Sequence, residues 1–143
     1  MKSDLEKAKN ILAESDYTCV LCKGEAVYTG TGHGVKPLIA WIDSGLDLKG
    51  FCAADRIVGK AAALLYVLLG VSAVYSPVMS EAGINTLKEN GIAFEYDTSV
   101  KEIRNRANTG LCPMEATIQD IDDPAKGLGA LKETIRRMMA SRS

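Results

Sequence analysis

A three-layer α/β/α domain, whose mixed sheet of four or five strands opens on an antiparallel hairpin, is the fold class this sequence predicts. Three observations predict it. Two β-rich runs, Tyr17–Cys22 and Glu25–Thr29, flank a Lys23-Gly24 turn, which is the pattern of a short hairpin. Two further apolar runs, Val71–Tyr75 and Ile92–Tyr96, are separated by helical stretches, and strands joined through helices run parallel. A length of 143 residues, 47% of them hydrophobic and 24% charged, suits one domain spanning residues 1–143 with a core that needs no staples.

The elements follow in order. Residues from about Asp4 to Ser15 form an amphipathic helix, with Leu5, Ala8, Ile11 and Leu12 on one face. After the hairpin, a glycine-rich loop, Gly30-Thr31-Gly32-His33-Gly34, leads to Pro37 at a helix start, and that helix ends near Ser44-Gly45. A buried helix is expected from about Ala53 to Leu69, stopping at Gly70. The Val71–Tyr75 strand then ends at Ser76-Pro77, where Ser76 is expected to cap a helix that Asn90-Gly91 closes. Beyond the Ile92–Tyr96 strand, a helical segment is expected near Val100 to Ala107. Cys112-Pro113 opens the next helix and Asp123-Pro124 the last.

Composition excludes several classes. The formal charge is −1, with Lys and Arg spread along the chain, so there is no electrostatic footprint for nucleic acid or an anionic membrane. The run from Ala61 to Val71 is too short to span a bilayer. No secretory signal accompanies the four cysteines, which are expected to be reduced thiols in a cytoplasmic protein. The expected partner is a small molecule.

Cys112 is the first candidate for a reactive residue. Pro113 suits the first helical position and Glu115 stands where a capping box places its acid, so Cys112 falls at the N-cap. Sulfur caps poorly, but the orphan N–H groups there favour a thiolate; a small buried cysteine tolerating the position is the plainer alternative. Cys52 could gain thiolate character in the same way, although its neighbours Phe51 and Ala53 favour burial. Asp55 is expected in a first helical turn, stabilised by the dipole or serving as a general base. Lys60 sits at an apolar level of the same helix, where it snorkels outward or pairs with a carboxylate or bound anion. Gly59 inside a helix suggests a close approach to the backbone.

The loop of Gly30, Gly32, His33, Gly34 and Lys36 could cradle an anion or serve as a simple connection; its spacing matches neither dinucleotide nor P-loop fingerprints. His33 is the only histidine. Cys19 and Cys22 form a CxxC, but in a strand positions i and i+3 face opposite sides, which argues against metal or redox use. No metal site and no particular cofactor is predicted.

The pattern Cys52-Ala53-Ala54-Asp55-Arg56 before an Ala-rich helix, with Ser76-Pro77 at a later helix start, resembles the cytidine deaminase fold. Ala54-Asp55-Arg56 lines up with the Ala-Glu-Arg of that superfamily. Its zinc-ligand positions here hold Ala53, Val78 and Glu81, and Ala and Val cannot bind zinc, so hydrolytic base deamination is not implied. From Ser3 to Arg137 the chain looks most like a small uncharacterised prokaryotic family of this fold, a domain of unknown function. The resemblance implies a pocket where two helix starts meet, near Asp55 and Ser76, and no known reaction.

Three functional readings follow. One is a metal-independent, thiol-dependent enzyme acting on a small nucleotide-like or anionic metabolite, with Cys112 as nucleophile or sulfur carrier, Asp55 as acid/base and Lys60 as electrostatic partner. It requires Cys112 and Asp55 to meet. The alternative is a non-catalytic ligand-binding or regulatory module using the glycine-rich loop and Ser76. A third, a self-associating subunit, draws on the apolar stripe Leu128, Leu131, Ile135, Met138 and Met139, for which ordinary core packing is the plainer explanation.

Overall fold

Ser3 opens the first helix by accepting a hydrogen bond from the Glu6 N–H at 3.1 Å, as an N-cap serine should. The computed structural model describes residues 3–32 and 34–141. Helix α1 (Asp4–Ala13) buries Ala8 and Leu12. Strands β1 (Cys19–Lys23) and β2 (Ala26–Gly30) form the expected hairpin, in register from Cys19 opposite Gly30 to Lys23 opposite Ala26. Its turn uses Gly24 at φ +59°, a conformation in which a Cβ is unfavourable. Helix α2 (Lys36–Ser44) follows the glycine-rich loop.

The stretch expected to begin the buried helix is extended instead. Cys52–Asp55 is strand β3 and Ile57–Val58 is strand β4; helix α3 (Lys60–Leu69) begins only after Gly59. β3 is antiparallel to β1 and parallel to β5 (Ala73–Ser80), and β4 continues along β5 at the same register, with Ala54 beside Tyr75 and Ile57 beside Val78. The interruption at Arg56 falls at the level of Pro77, which brings no N–H to a ladder. Alanine favours helices, yet here packing overrides propensity: Ala53 and Ala54 are buried, facing different cores.

Among the described residues the sheet therefore has six strands rather than four or five, in the order β2-β1-β3-β5-β4, with β6 (Ala93–Val100) also parallel to β5. Alternation along β1 divides the interior. Val20 and Cys22 face α1, with Ala8, Leu12, Ala54 and Tyr75. Cys19 and Leu21 face the larger core, which α3 dominates with Leu64, Leu65 and Tyr66. The Arg56 guanidinium ties the end of α1 to the sheet by donating to the carbonyls of Leu12, Ser15 and Tyr17 at 2.7–3.0 Å.

Two further expectations are corrected. Ser76-Pro77 lies inside β5, which runs on to Ser80; Ser80 is the N-cap of α4 (Glu81–Glu89) and accepts from the Gly83 N–H at 3.0 Å. Ser76 satisfies itself locally, donating to the Val78 carbonyl at 2.8 Å and accepting from its N–H at 3.2 Å, and so offers no cap. Residues 101–107 form no helix. β6 extends to Val100, and the chain then bends through a single bridge between Arg104 and Leu111. Helices α5 (Pro113–Ile118) and α6 (Pro124–Ala140) start where expected, and Asp123 caps α6 through the Lys126 N–H. No helix among the described residues is long and apolar enough to cross a membrane.

Candidate functional site

A cleft of about 550 Å³ opens where the start of α2, the 104–106 bend, the start of α5 and the end of α6 converge. Its position follows from local sequence. Thr18 Oγ1 donates to the carbonyls of Gly30 and Gly32, at 3.0 and 2.9 Å, and pins the first half of the glycine-rich loop to β1. Gly34, Val35 and Lys36 are thereby left along the cleft.

On the facing side, Asn105 Oδ1 accepts from the Thr109 N–H at 3.0 Å and the Asn105 N–H reaches the Gly110 carbonyl at 3.0 Å, closing a tight loop. That loop presents Arg104 and Arg106. Arg104 is braced: it donates to Glu102 at 2.6 Å and to the side chain and carbonyl of Asn108 at 2.6 and 3.2 Å. Lys36 and Arg106 make no ion pair among the described residues.

Cys112 lines the same cleft as these cations and an apolar wall. It is the half-buried N-cap of α5 and makes no side-chain capping bond. The wall is Met114, Ile135, Met138 and Met139. No Asp or Glu lines the cleft among the described residues, so its charged lining side chains are all cationic. Part of the carboxyl-terminal apolar stripe thus serves the cleft, whereas Leu131 is fully buried in the core.

The other predicted residues lie elsewhere. Asp55 closes β3 at 7% exposure and does not line the cleft. Tyr66 donates its hydroxyl to Asp55 Oδ2 at 2.7 Å, within one buried cluster. Burial raises the Asp55 carboxyl to about 7 despite that bond and the N–H groups of Ile57 and Arg56. It likewise pushes the neighbouring Cys19 thiol to about 12. Lys60 pairs with Asp122 at 2.8 Å and donates to the Gln119 carbonyl at 3.2 Å. Ser76 is fully buried in β5. Gly30 and Gly32 hold the loop, and a Cβ on Gly30 would crowd the Cys19 sulfur at 2.8 Å. His33 lies outside the described residues.

Glu115 does something the capping-box spacing does not suggest. Its carboxylate crosses to the start of α3 and accepts from the N–H groups of Lys60 at 2.7 Å and Ala61 at 2.9 Å. Burial raises its pKa, and those two N–H groups oppose the rise. Gly59 is needed for this approach, because a Cβ there would overlap the carboxylate. The amino end of α3 is thus occupied from within.

Arg104, Arg106 and Met114 were not singled out by the sequence. The available signal was Arg104-Asn105-Arg106 followed by Asn108-Thr109-Gly110, a basic pair held by turn-forming residues.

No curated protein matches this chain. Among solved structures, a DUF1893 family protein (TM1506) from Thermotoga maritima is similar, with a TM-score of 0.80 over 100% of this chain and 92% of that one. Identity is 23%, so the likeness establishes the fold alone. The profile described as "TM1506: Domain of unknown function (DUF1893)" matches residues 7–135, nearly the whole folded span just described, and the chain belongs to that family.

Proposed function

We propose that this protein binds a small organic anion, a phosphate or carboxylate carried on an apolar or aromatic body, in the cleft beside Cys112. One observation carries the reading: Lys36, Arg104 and Arg106 share a cleft with the apolar side chains of Met114, Ile135, Met138 and Met139, and no carboxylate is among its described lining residues. Cations recognise the anionic end through charge-assisted hydrogen bonds, and the methionines adapt to the rest. A nucleotide-like ligand falls within this class.

The binding-module reading is favoured over the thiol enzyme. Asp55 and Lys60, the acid/base and electrostatic partner that reading requires, do not line the cleft with Cys112. The deaminase-like description of the scaffold belongs to the same proposal. It is supported by an antiparallel hairpin leading into parallel strands linked through helices.

Titration calorimetry with inorganic phosphate, adenosine monophosphate and an aromatic carboxylate tests the idea. The two organic anions should bind more tightly than phosphate, and more weakly as salt rises. Lys36→Gln with Arg106→Gln, both on exposed side chains, should weaken them about tenfold or more. Cys112→Ser should keep most of the affinity. A double variant that binds as well as the parent, or a parent that binds none of the three, disposes of the proposal.

A further inference from the structure

The CxxC spacing draws attention to Cys19 and Cys22, yet these two face different cores. The register gives Cys22 another neighbour: Cys52 lies directly opposite it across the β1–β3 pair. Directly opposed residues share one face of a sheet. Both thiols are free, and the charge of Cys52 is among the influences on the Cys22 thiol.

The kind of pairing follows from the same ladder. The Arg56 N–H donates to the Thr18 carbonyl at 3.1 Å, which marks that level as hydrogen-bonded. Levels alternate, so Cys22 and Cys52, four residues along each strand, also form a hydrogen-bonded pair. The Cα atoms of such a pair stand about 5.5 Å apart, within the range a disulfide accepts. Their Cβ atoms stand somewhat wider than the ~3.8 Å of a relaxed disulfide, so the strands must draw together and the bond is readily reduced. The adjustment is local, since Cys52 is the first residue of β3 and Cys22 lies one residue from the end of β1.

We propose that Cys22 and Cys52 form a reversible cross-strand disulfide, making this end of the sheet a thiol-oxidation site independent of the anion cleft. The oxidant class is a low-molecular-weight disulfide such as oxidised glutathione. Cys52 is the entry point, being half-buried with its sulfur 3.5 Å from Ser72 Oγ, whereas Cys22 is fully buried. Cys52 gives up its proton and attacks one sulfur of the oxidant. The oxidant's S–S bond breaks, and one glutathione leaves as thiolate and takes up a proton. Cys22 then loses its proton and attacks the Cys52 sulfur, expelling the second glutathione, which is protonated in turn. Two protein thiols are oxidised to one disulfide while one oxidised glutathione is reduced to two thiols.

The test equilibrates a Cys112→Ser protein with oxidised and reduced glutathione, alkylates the remaining thiols and maps the peptides. The expected product is one linked Cys22–Cys52 peptide, with loss of both alkylation sites and a melting temperature raised by on the order of 5 °C. Added Cys22→Ala should halt the reaction at a glutathione adduct on Cys52. Added Cys52→Ala should leave Cys22 unmodified, and it serves the same purpose should the first variant fail to fold. Cys22 and Cys52 both remaining alkylatable at every ratio, or a disulfide joining a different pair, overturns the proposal.

Discussion

Replacing Asp55 by Asn is expected to make the protein more stable above pH 7 and to flatten its stability profile between pH 4 and 7. The carboxyl is buried and receives the Tyr66 hydroxyl at 2.7 Å, and burial lifts it from 3.8 to about 7. The direction of the effect follows from proton counting. Below pH 3.8 both folded and unfolded chains hold the proton. Between that value and about 7 the unfolded chain ionises while the folded one does not, so the unfolded state binds fewer protons and stability falls as pH rises. Above 7 the loss is complete, and its upper bound across the interval is on the order of 4 kcal/mol. An asparagine keeps the shape and an acceptor oxygen but cannot ionise. At pH 8 Asp55→Asn should gain about 1–3 kcal/mol in urea unfolding, and at pH 4 it should match or fall below the parent. A parent whose stability is level from pH 4 to 7 would show that the carboxylate is ionised in the fold.

The same residue shows what was legible in the sequence. Local signals were sound where one short segment decides the outcome. Asp123 is an N-cap, Gly24 turns the hairpin, and Gly70 at φ +74° ends α3. The stretch around Asp55 misleads because its alanines are chosen by close packing on both faces of a central strand, which no local propensity reports. Ser76-Pro77 imitates a helix start for a related reason. Its serine bonds within its own strand, and the proline coincides with the break between β3 and β4. The cleft was half legible. Gly34, Lys36 and Cys112 were candidates, but their meeting with Arg104, Arg106 and Met138 depends on α5 and α6 folding back against α3. The partner chosen for Cys112 was Asp55, a pairing that one-dimensional spacing cannot test.

Removing the Glu115 carboxylate should carry the second large effect, through a contact between residues remote in sequence. Glu115→Ala leaves the Lys60 and Ala61 N–H groups without their acceptor in a partly buried setting and strips negative charge from the amino end of α3. A loss of about 2–4 kcal/mol in urea unfolding is expected. Gly59→Ala should cost a similar amount in the parent, because the added Cβ would displace that carboxylate. The backbone at Gly59, φ −103° and ψ −169°, is one any residue adopts, so the substitution carries no conformational strain of its own. In a Glu115→Ala background Gly59→Ala should therefore be nearly harmless, giving a coupling of at least about 1 kcal/mol in a double-mutant cycle. Strict additivity would mean that Gly59 answers to some other neighbour. The contact matters to the cleft as well. Glu115 and the Thr117–Thr134 hydroxyl pair, at 2.7 Å, fasten α5 to α3 and α6, and α5 carries Met114 and follows Cys112. A protein that fills the start of its central helix with its own carboxylate leaves no room there for an external anion, and the same contact holds one wall of the cleft in place.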